Sequence, residues 1–127
     1  MSPAFGRPGA RAVIAVAALA ILALGCGGEP AGTPVATPAV TLELAAQNIQ
    51  FDRSVLTAPA AVPFAIWFDN REGAPHNVSI HGDGAVFVGE IFSGPAQRIY
   101  HVPALPAGEY RFVCDLHPNM TGTLVTQ

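Results

Sequence analysis

Three side chains near the carboxyl end of this chain are of types that bind a soft metal ion. Cys114, His117 and Met120 supply a thiolate, an imidazole and a thioether at intervals of three residues. With four histidines and two methionines in 127 residues, this spacing has a chance of roughly 1 in 2,000 for each cysteine. A tight loop after a strand can bring all three to one point. The plain alternative is a buried structural cysteine beside an unrelated histidine and methionine.

Sulfur beside imidazole favours copper over magnesium, calcium or manganese. Two histidines, one cysteine and a weak axial methionine compose a type 1, or blue, copper site, so one further histidine is needed. His76, between Pro75 and Asn77, is the candidate. His81 lies five residues on, which places it on the opposite strand face, and His101 has no sulfur or carboxylate neighbour at a recognisable spacing. The sequence predicts one copper ion, cycling between Cu(I) and Cu(II), bound by His76, Cys114, His117 and Met120.

This ligand set indicates electron transfer and not catalysis. A site of intermediate geometry changes little between Cu(I) and Cu(II), and four protein ligands leave no position for a substrate. Copper delivery or sensing stays open as the alternative, although a carrier typically has several exposed methionines or cysteines. A hydrolase using Cys114, His76 and Asn77 needs a helix to polarise its thiolate. Zinc is disfavoured because methionine is a poor zinc ligand.

The elements that position these residues are predicted to be strands. Apolar and polar side chains alternate with a period of two, and Gly, Pro, Asn and Asp separate the runs. Seven prolines after residue 50 exclude long helices. The pattern predicts an all-β fold, a small β-sandwich or barrel of seven or eight strands. The predicted strands are 41–46, 49–56, 64–69, 77–80, 85–91, 97–102, 110–113 and 123–126.

Length and charge narrow the function classes further. The chain has room for one small domain with an extension, which excludes a multidomain enzyme. Six basic residues stand against nine acidic ones, so the positive charge expected of a nucleic-acid-binding protein is missing.

The first 25 residues have the pattern of a signal peptide. Arg7 and Arg11 precede thirteen apolar residues, 12–24, which as a helix span about 20 Å and are too short for a bilayer core of about 30 Å. The run from Leu22 to Cys26 resembles the bacterial lipobox, in which the cysteine is acylated. An ordinary secreted cysteine or an uncleaved anchor is the alternative. We therefore expect an extracytoplasmic protein, lipid-anchored through Cys26 to a bacterial cell membrane.

Two further segments follow from this interpretation. Residues 26–40 contain the lipidated cysteine and a tether rich in Pro, Gly, Ala and Thr, whose composition favours extended chain. Residues 41–127 form the folded domain. Removing residues 1–25 leaves four basic against nine acidic side chains, so the mature protein is distinctly acidic.

The motifs around the ligands resemble those of the cupredoxins, the plastocyanin-like and amicyanin-like blue copper proteins. Pro75-His76-Asn77 and the run 108–122 carry this resemblance, which covers 41–127, and the short Cys-x2-His-x2-Met loop is most similar to that of amicyanin. The resemblance implies a Greek-key β-sandwich with His76, Cys114 and His117 as equatorial ligands and Met120 as the axial one. It also implies that Asn77 braces the two ligand loops and that its backbone amide donates to the Cys114 sulfur.

The loop around His117 also predicts where electrons enter. Leu116 and Pro118 flank this histidine, so the edge of its ring is expected to reach the surface through an apolar patch, as the resemblance also implies. The acidic side chains would steer a partner and the patch would dock it. The expected partner is a redox protein, a cytochrome, oxidase or reductase, and the protein is expected to be a monomer.

Overall fold

The computed structural model describes residues 37–127, together with Gly9 and Gly32. The predicted signal peptide, Cys26 and most of the predicted tether lie outside the described residues. All strands belong to the unit Pro34–Gln127. No helix in residues 37–127 is long and apolar enough to cross a membrane.

Ten β-strands make up the described part of the chain. They are β1 (Thr41–Ala46), β2 (Val55–Ala58), β3 (Phe64–Asn70), β4 (Pro75–His76), β5 (Ser79–Gly82), β6 (Gly84–Val88), β7 (Phe92–Ser93), β8 (Ala96–Val102), β9 (Gly108–Cys114) and β10 (His117–Thr126). A three-stranded sheet has the order β1-β3-β8, and a five-stranded sheet has the order β2-β10-β9-β5-β6. The short strands β4 and β7 pair only with each other.

The predicted all-β sandwich is confirmed. Eight of the ten strands form the two main sheets, and β4 and β7, of two residues each, account for the excess over the predicted seven or eight. Two pairs of strands are parallel, β1 with β3 and β2 with β10, while the other pairs are antiparallel.

The core forms where the two sheets face each other. In β3, Phe64, Ile66 and Phe68 are fully buried while Trp67 faces outward, as the period of two predicts. Phe51 joins the sheets, since its ring lies 6.0 Å from that of Phe68 and 5.4 Å from that of Phe112. Burying each such side chain stabilises the fold by about 1.5–3 kcal/mol.

Several predicted strands were wrong in their extent, and two of these differences bear on the site. The predicted strand 49–56 overlaps the observed strand β2 only at residues 55 and 56. Residues 47–50 instead form a turn in which Asn48 and Ile49 have φ near 57°. The predicted strand 77–80 begins two residues later, as β5, and His76 lies in the separate strand β4, which belongs to a different sheet. This break separates His76 from His81 and lets His76 turn toward the end of the sandwich.

The packing of Gly122 against Phe112 gives a stability test. The two residues are directly paired across β9 and β10, and a Cβ at Gly122 would overlap the buried Phe112 ring. We expect Gly122→Ala to lower the free energy of unfolding by about 1–3 kcal/mol because the ring must leave its preferred rotamer. Denaturant unfolding followed by circular dichroism measures this. Gly73→Ala is the control, because a Cβ there meets nothing within 4 Å, and equal midpoints for the two variants would contradict the packing described.

Candidate metal centre

Three of the four predicted ligands lie together at one end of the sandwich. One ligand atom each from His76, Cys114 and His117 lies within 4.8 Å of the others. His76 and Cys114 are buried and His117 is half-buried. Three donors this close, with no acidic group among them, have the chemistry to bind one soft metal ion.

The turn between β9 and β10 positions two of these donors. Cys114 ends β9 and His117 begins β10, and the two are paired across a turn made by Asp115 and Leu116. A register shift between His117 and Thr121 then bulges β10, so its first residues leave the regular ladder. The spacing of three residues that the sequence shows is thus the geometry of a tight turn followed by a bulge.

His76 reaches the same point from the opposite side. It pairs with Phe92 between β4 and β7, and its ring lies 4.7 Å from that of His117. Its Nδ1 atom is 3.7 Å from the Cys114 Sγ, and the Nδ1 atom of His117 is 3.5 Å from the same sulfur. Both histidines therefore present Nδ1 toward the thiolate, and this nitrogen is the one available to a metal.

Met120, the fourth predicted ligand, is buried in the same hydrophobic cluster as Cys114. A thioether there is shielded from water, which suits a weak axial donor to copper. Together with the three nearer donors, Met120 completes the arrangement of a type 1 copper site. The individual ligand roles, equatorial for three residues and axial for Met120, remain predictions.

The carboxylate of Glu72 is a part of the site that the sequence interpretation missed. Its Oε1 atom lies 2.8 Å from Nε2 of His76, so the imidazole donates to it from the nitrogen that faces away from Cys114. A carboxylate in this position fixes the tautomer and the ring plane of a metal-binding histidine and makes it a stronger electron donor. The only sign of this contact in the sequence is that Glu72 lies four residues before His76. That spacing predicts a contact only once the turn between the two residues is known.

A strained loop holds Glu72 in turn. The backbone amides of Asn48 and Ile49 donate to its two carboxylate oxygens, at 3.0 and 2.9 Å. Both residues have left-handed φ values, which is unusual for a β-branched residue such as Ile49. Consecutive amides in this conformation form an anion-binding concavity. The pKa of Glu72 is held below its ordinary value, and the hydrogen bond from the Ile49 amide is the largest cause. The bonds from His76 and Asn48 act in the same direction, and together the three outweigh burial, which raises the pKa.

Asn77 links the two ligand segments through its side chain. Its Nδ2 atom donates to Asp115 Oδ2 at 2.7 Å, and its Oδ1 atom accepts from the Asp115 amide at 2.9 Å. Ser79 Oγ donates to the same carboxylate. In the described part of the chain no hydrogen bond joins the Asn77 amide to Sγ of Cys114, so that expected contact is not found. Burial raises the pKa of Asp115, but the bonds from Ser79 and Asn77 and the proximity of His81 outweigh it, and the net shift is downward.

The remaining histidines stay outside the cluster of donors. His101 is exposed on β8. His81 lies on β5 with its Nε2 atom 3.9 Å from Asp115 Oδ1, so it approaches the brace around Asp115 and not the ligand atoms. In the predicted entry patch, Leu116 is 44% exposed, Pro118 is exposed and His117 is half-buried between them.

Comparison with known proteins places these observations in context. The family model of the cupredoxin-like domain matches residues 12–126. Auracyanin from Roseiflexus castenholzii has a TM-score of 0.63 at 17% identity, over 72% of this chain and 99% of its own. Auracyanin A from Chloroflexus aurantiacus, described as a blue copper protein, has a TM-score of 0.62 at 20% identity, over 68% and 98%. These two likenesses are of fold alone.

Amicyanin from Paracoccus versutus has a TM-score of 0.56 at 26% identity, over 72% of this chain and 85% of its own. No curated protein sequence matches this chain significantly.

The contact between Glu72 and His76 predicts a change in redox potential. In Glu72→Gln a neutral amide replaces the carboxylate, so His76 donates less electron density and Cu(II) loses more stabilisation than Cu(I). Each tenfold loss of Cu(II) affinity relative to Cu(I) raises the potential by about 59 mV, and we expect a rise of about this size. Potentiometric titration measures it. Glu109→Gln, at an exposed position on the far end of β9, is the control, and an unchanged or lower potential in Glu72→Gln would contradict the role assigned to Glu72.

The lowered pKa of Glu72 also predicts how stability depends on pH in the metal-free protein. Because the pKa is lower in the folded state, the stabilisation is fully present above the unfolded value, near 4.5, and is lost as the pH falls through the folded value. Below about pH 4.5 the free energy of unfolding should therefore fall more steeply in the natural protein than in Glu72→Gln. Denaturant unfolding at a series of pH values measures both slopes. Parallel slopes would show that the carboxylate makes no such contribution.

Proposed function

This chain belongs to the cupredoxin-like domain family, and on that premise we propose that it is a membrane-tethered type 1 copper protein that shuttles single electrons between extracytoplasmic redox partners. The observation that carries the proposal is the approach of two imidazole Nδ1 atoms to one buried cysteine sulfur, with a buried thioether in the same cluster. Residues His76, Cys114, His117 and Met120 would hold one copper ion. When bound, this ion supplies the one-electron couple between Cu(I) and Cu(II).

The surroundings of the ligands support a carrier of electrons. Asn77 and Asp115 tie the segment before β5 to the turn after β9, and Glu72 fixes the ring of His76. Ligands held from outside in this way keep their positions when the charge of the metal changes, so little energy is needed for rearrangement. Low rearrangement energy is what a fast electron carrier requires.

The burial of the predicted ligands disfavours the alternative function of copper delivery. Cys114, Met120 and His76 are almost completely inaccessible to solvent. An acceptor that takes the metal by ligand exchange must reach those donor atoms, and only His117 is partly open to it. We therefore place electron transfer ahead of copper delivery or sensing, and we assign no catalytic residue.

The half-buried edge of His117 is the proposed point of electron entry. Exposed Leu116 and Pro118 on either side form an apolar surface on which another redox protein, a cytochrome, oxidase or reductase, would dock. Nearby negative charge on the domain would orient such a partner before contact.

The proposed location follows from the amino-terminal sequence. Lipid attached to Cys26 would hold the domain at the outer surface of a bacterial cell membrane, and the residues between Cys26 and Ala39, where the chain joins the folded domain, would act as the tether. The pattern of two arginines, an apolar run and a lipobox-like segment supports this proposal.

Optical and paramagnetic resonance spectra of the copper-loaded protein test the proposed site. We expect an intense visible band from charge transfer between the Cys114 thiolate and Cu(II), and its loss in Cys114→Ser, because a hydroxyl is a harder donor. His81→Ala is the control and should keep the band. A colourless copper complex, or a band that survives Cys114→Ser, would refute type 1 binding.

Replacement of Met120 tests the axial position separately. We expect Met120→Gln to keep the visible band and to have a lower potential than the natural protein, since a harder axial oxygen favours Cu(II). The potential is measured by redox titration. A potential equal to that of the natural protein would show that Met120 does not contact the metal.

The anchor is tested by fractionating cells that express the protein. We expect the natural protein in the membrane fraction with an acylated Cys26, and Cys26→Ala to be released or to stall as the uncleaved precursor. Mass spectrometry of the mature amino terminus identifies the modification. A soluble natural protein that begins after residue 26 would contradict the proposed anchor.

A further inference from the structure

The outer face of the three-stranded sheet carries an apolar pair that the proposed electron transfer does not use. Trp67 on β3 is 43% exposed and lies directly opposite Ile99 on β8, which is 55% exposed. Glu43 on β1 flanks Trp67 on its other side. We call this surface, defined by Glu43, Trp67 and Ile99, the tryptophan face. A large apolar pair on the open side of a sheet is a candidate interaction site.

The charges around the tryptophan face differ from those of the rest of the domain. Three of the four arginines in residues 41–127 line the two clefts that border Trp67, namely Arg53, Arg71 and Arg98. Three acidic groups, Glu43, Asp52 and Asp69, balance them. Elsewhere in residues 41–127 one arginine stands against five acidic side chains. An acidic domain of this kind approaches an anionic surface most easily with the tryptophan face forward.

The chain enters the domain beside this face. The Ala39 amide donates to the Pro63 carbonyl and the Ala65 amide to the Val40 carbonyl, so the residues just before β1 are bonded to the start of β3. Trp67 lies two residues further along β3, about 7 Å from Ala65. Ten residues separate Cys26 from Thr37, so covalent geometry keeps the domain within about 40 Å of a lipid on Cys26.

We propose that the tryptophan face rests on the surface of the lipid bilayer to which the chain is anchored. The inference rests on the proposed anchor at Cys26. Tryptophan favours the interface between water and lipid because its ring is apolar and its N–H is polar. Arg53 lines the same cleft as Trp67 and can pair with a lipid phosphate, whereas Arg71 is bound to Asp69 at 2.8 Å and Arg98 lies over the Phe92 ring. Two apolar side chains bind a bilayer only weakly, but a short tether gives an effective concentration of about millimolar, at which weak contact is sufficient.

In this orientation the strands of the three-stranded sheet lie parallel to the membrane surface. β3 runs from the point of chain entry to Asn70, whose side chain donates to the carbonyls of Ala74 and Phe92, next to His76. The ligand end is therefore about 20 Å along the strand from Phe64. With the tryptophan face on the bilayer, Leu116 and His117 stay uncovered and point along the membrane, toward partners in the same membrane.

Fluorescence of the lipid-anchored mature protein in vesicles tests the proposal directly, because Trp67 is the only tryptophan of the chain. The vesicles contain phosphatidylglycerol and phosphatidylcholine, with a spin-labelled phosphatidylcholine as quencher. We expect strong quenching when the label is near the head group, weaker quenching when it is near the chain end, and a blue shift of the emission relative to the protein in detergent. Ile99→Glu should lose most of this quenching.

A matched control moves the tryptophan to another surface. Val88 on β6 is 64% exposed and belongs to the five-stranded sheet, so Trp67→Phe combined with Val88→Trp should show little quenching by either lipid. Equal quenching of both tryptophans, or none of Trp67, would overturn the proposal. So would a blue shift that appears without vesicles and follows self-association in sedimentation, since the face would then bind a second copy.

These outcomes are distinct from failure of the proposed function. The visible band of bound copper reports the metal centre, and fractionation with mass spectrometry reports the anchor, whereas quenching reports the position of Trp67. If Cys26 carries no natural lipid, a maleimide-functionalised phospholipid coupled to Cys26 supplies the same tether, and an absence of Trp67 quenching in those vesicles would also reject the tryptophan face as a membrane contact.

Discussion

The Cys114 sulfur, enclosed between two imidazole nitrogens at the end of a β-sandwich, is the constraint on which the rest of this structure depends. The Nδ1 atoms of His76 and His117 lie 3.7 and 3.5 Å from the sulfur, and the surroundings are largely closed to water. Bringing three polar donor atoms together away from water costs free energy unless a metal binds them or the fold holds them in place. In this protein the fold supplies much of that restraint.

Two separate sets of hydrogen bonds provide the restraint. On one side the carboxylate of Asp115 and the side chain of Asn77 lock the turn after β9 to the segment that follows His76. On the other side Glu72 fixes the outer nitrogen of His76 and is itself held by two amides of the turn at residues 47–50. The ligand positions are thus set by groups that do not touch the metal. A centre built this way suits electron transfer better than a function that requires ligands to be released.

Much of this was predictable from the sequence, and the remainder has identifiable causes. The Cys-x2-His-x2-Met spacing predicted three of the ligands, and the alternation of apolar and polar side chains predicted the all-β fold. Both patterns depend on local geometry, which the sequence records directly. Glu72 was missed because its partners, Asn48 and Ile49, are more than twenty residues away and act through backbone amides, which no side-chain pattern records. The turn that truncated the predicted strand 49–56 was missed for a related reason, since Ile49 adopts a left-handed φ that its residue type disfavours.

X-ray absorption of the copper-loaded protein shows whether the fold holds this centre in one geometry for both oxidation states. The measurement compares the number and the lengths of the metal–ligand bonds in the Cu(II) and Cu(I) forms. We expect one short bond to sulfur and two to imidazole nitrogen in both states, with nearly unchanged lengths. Gain of a bound water in the Cu(II) form, or loss of an imidazole on reduction at neutral pH, would contradict it.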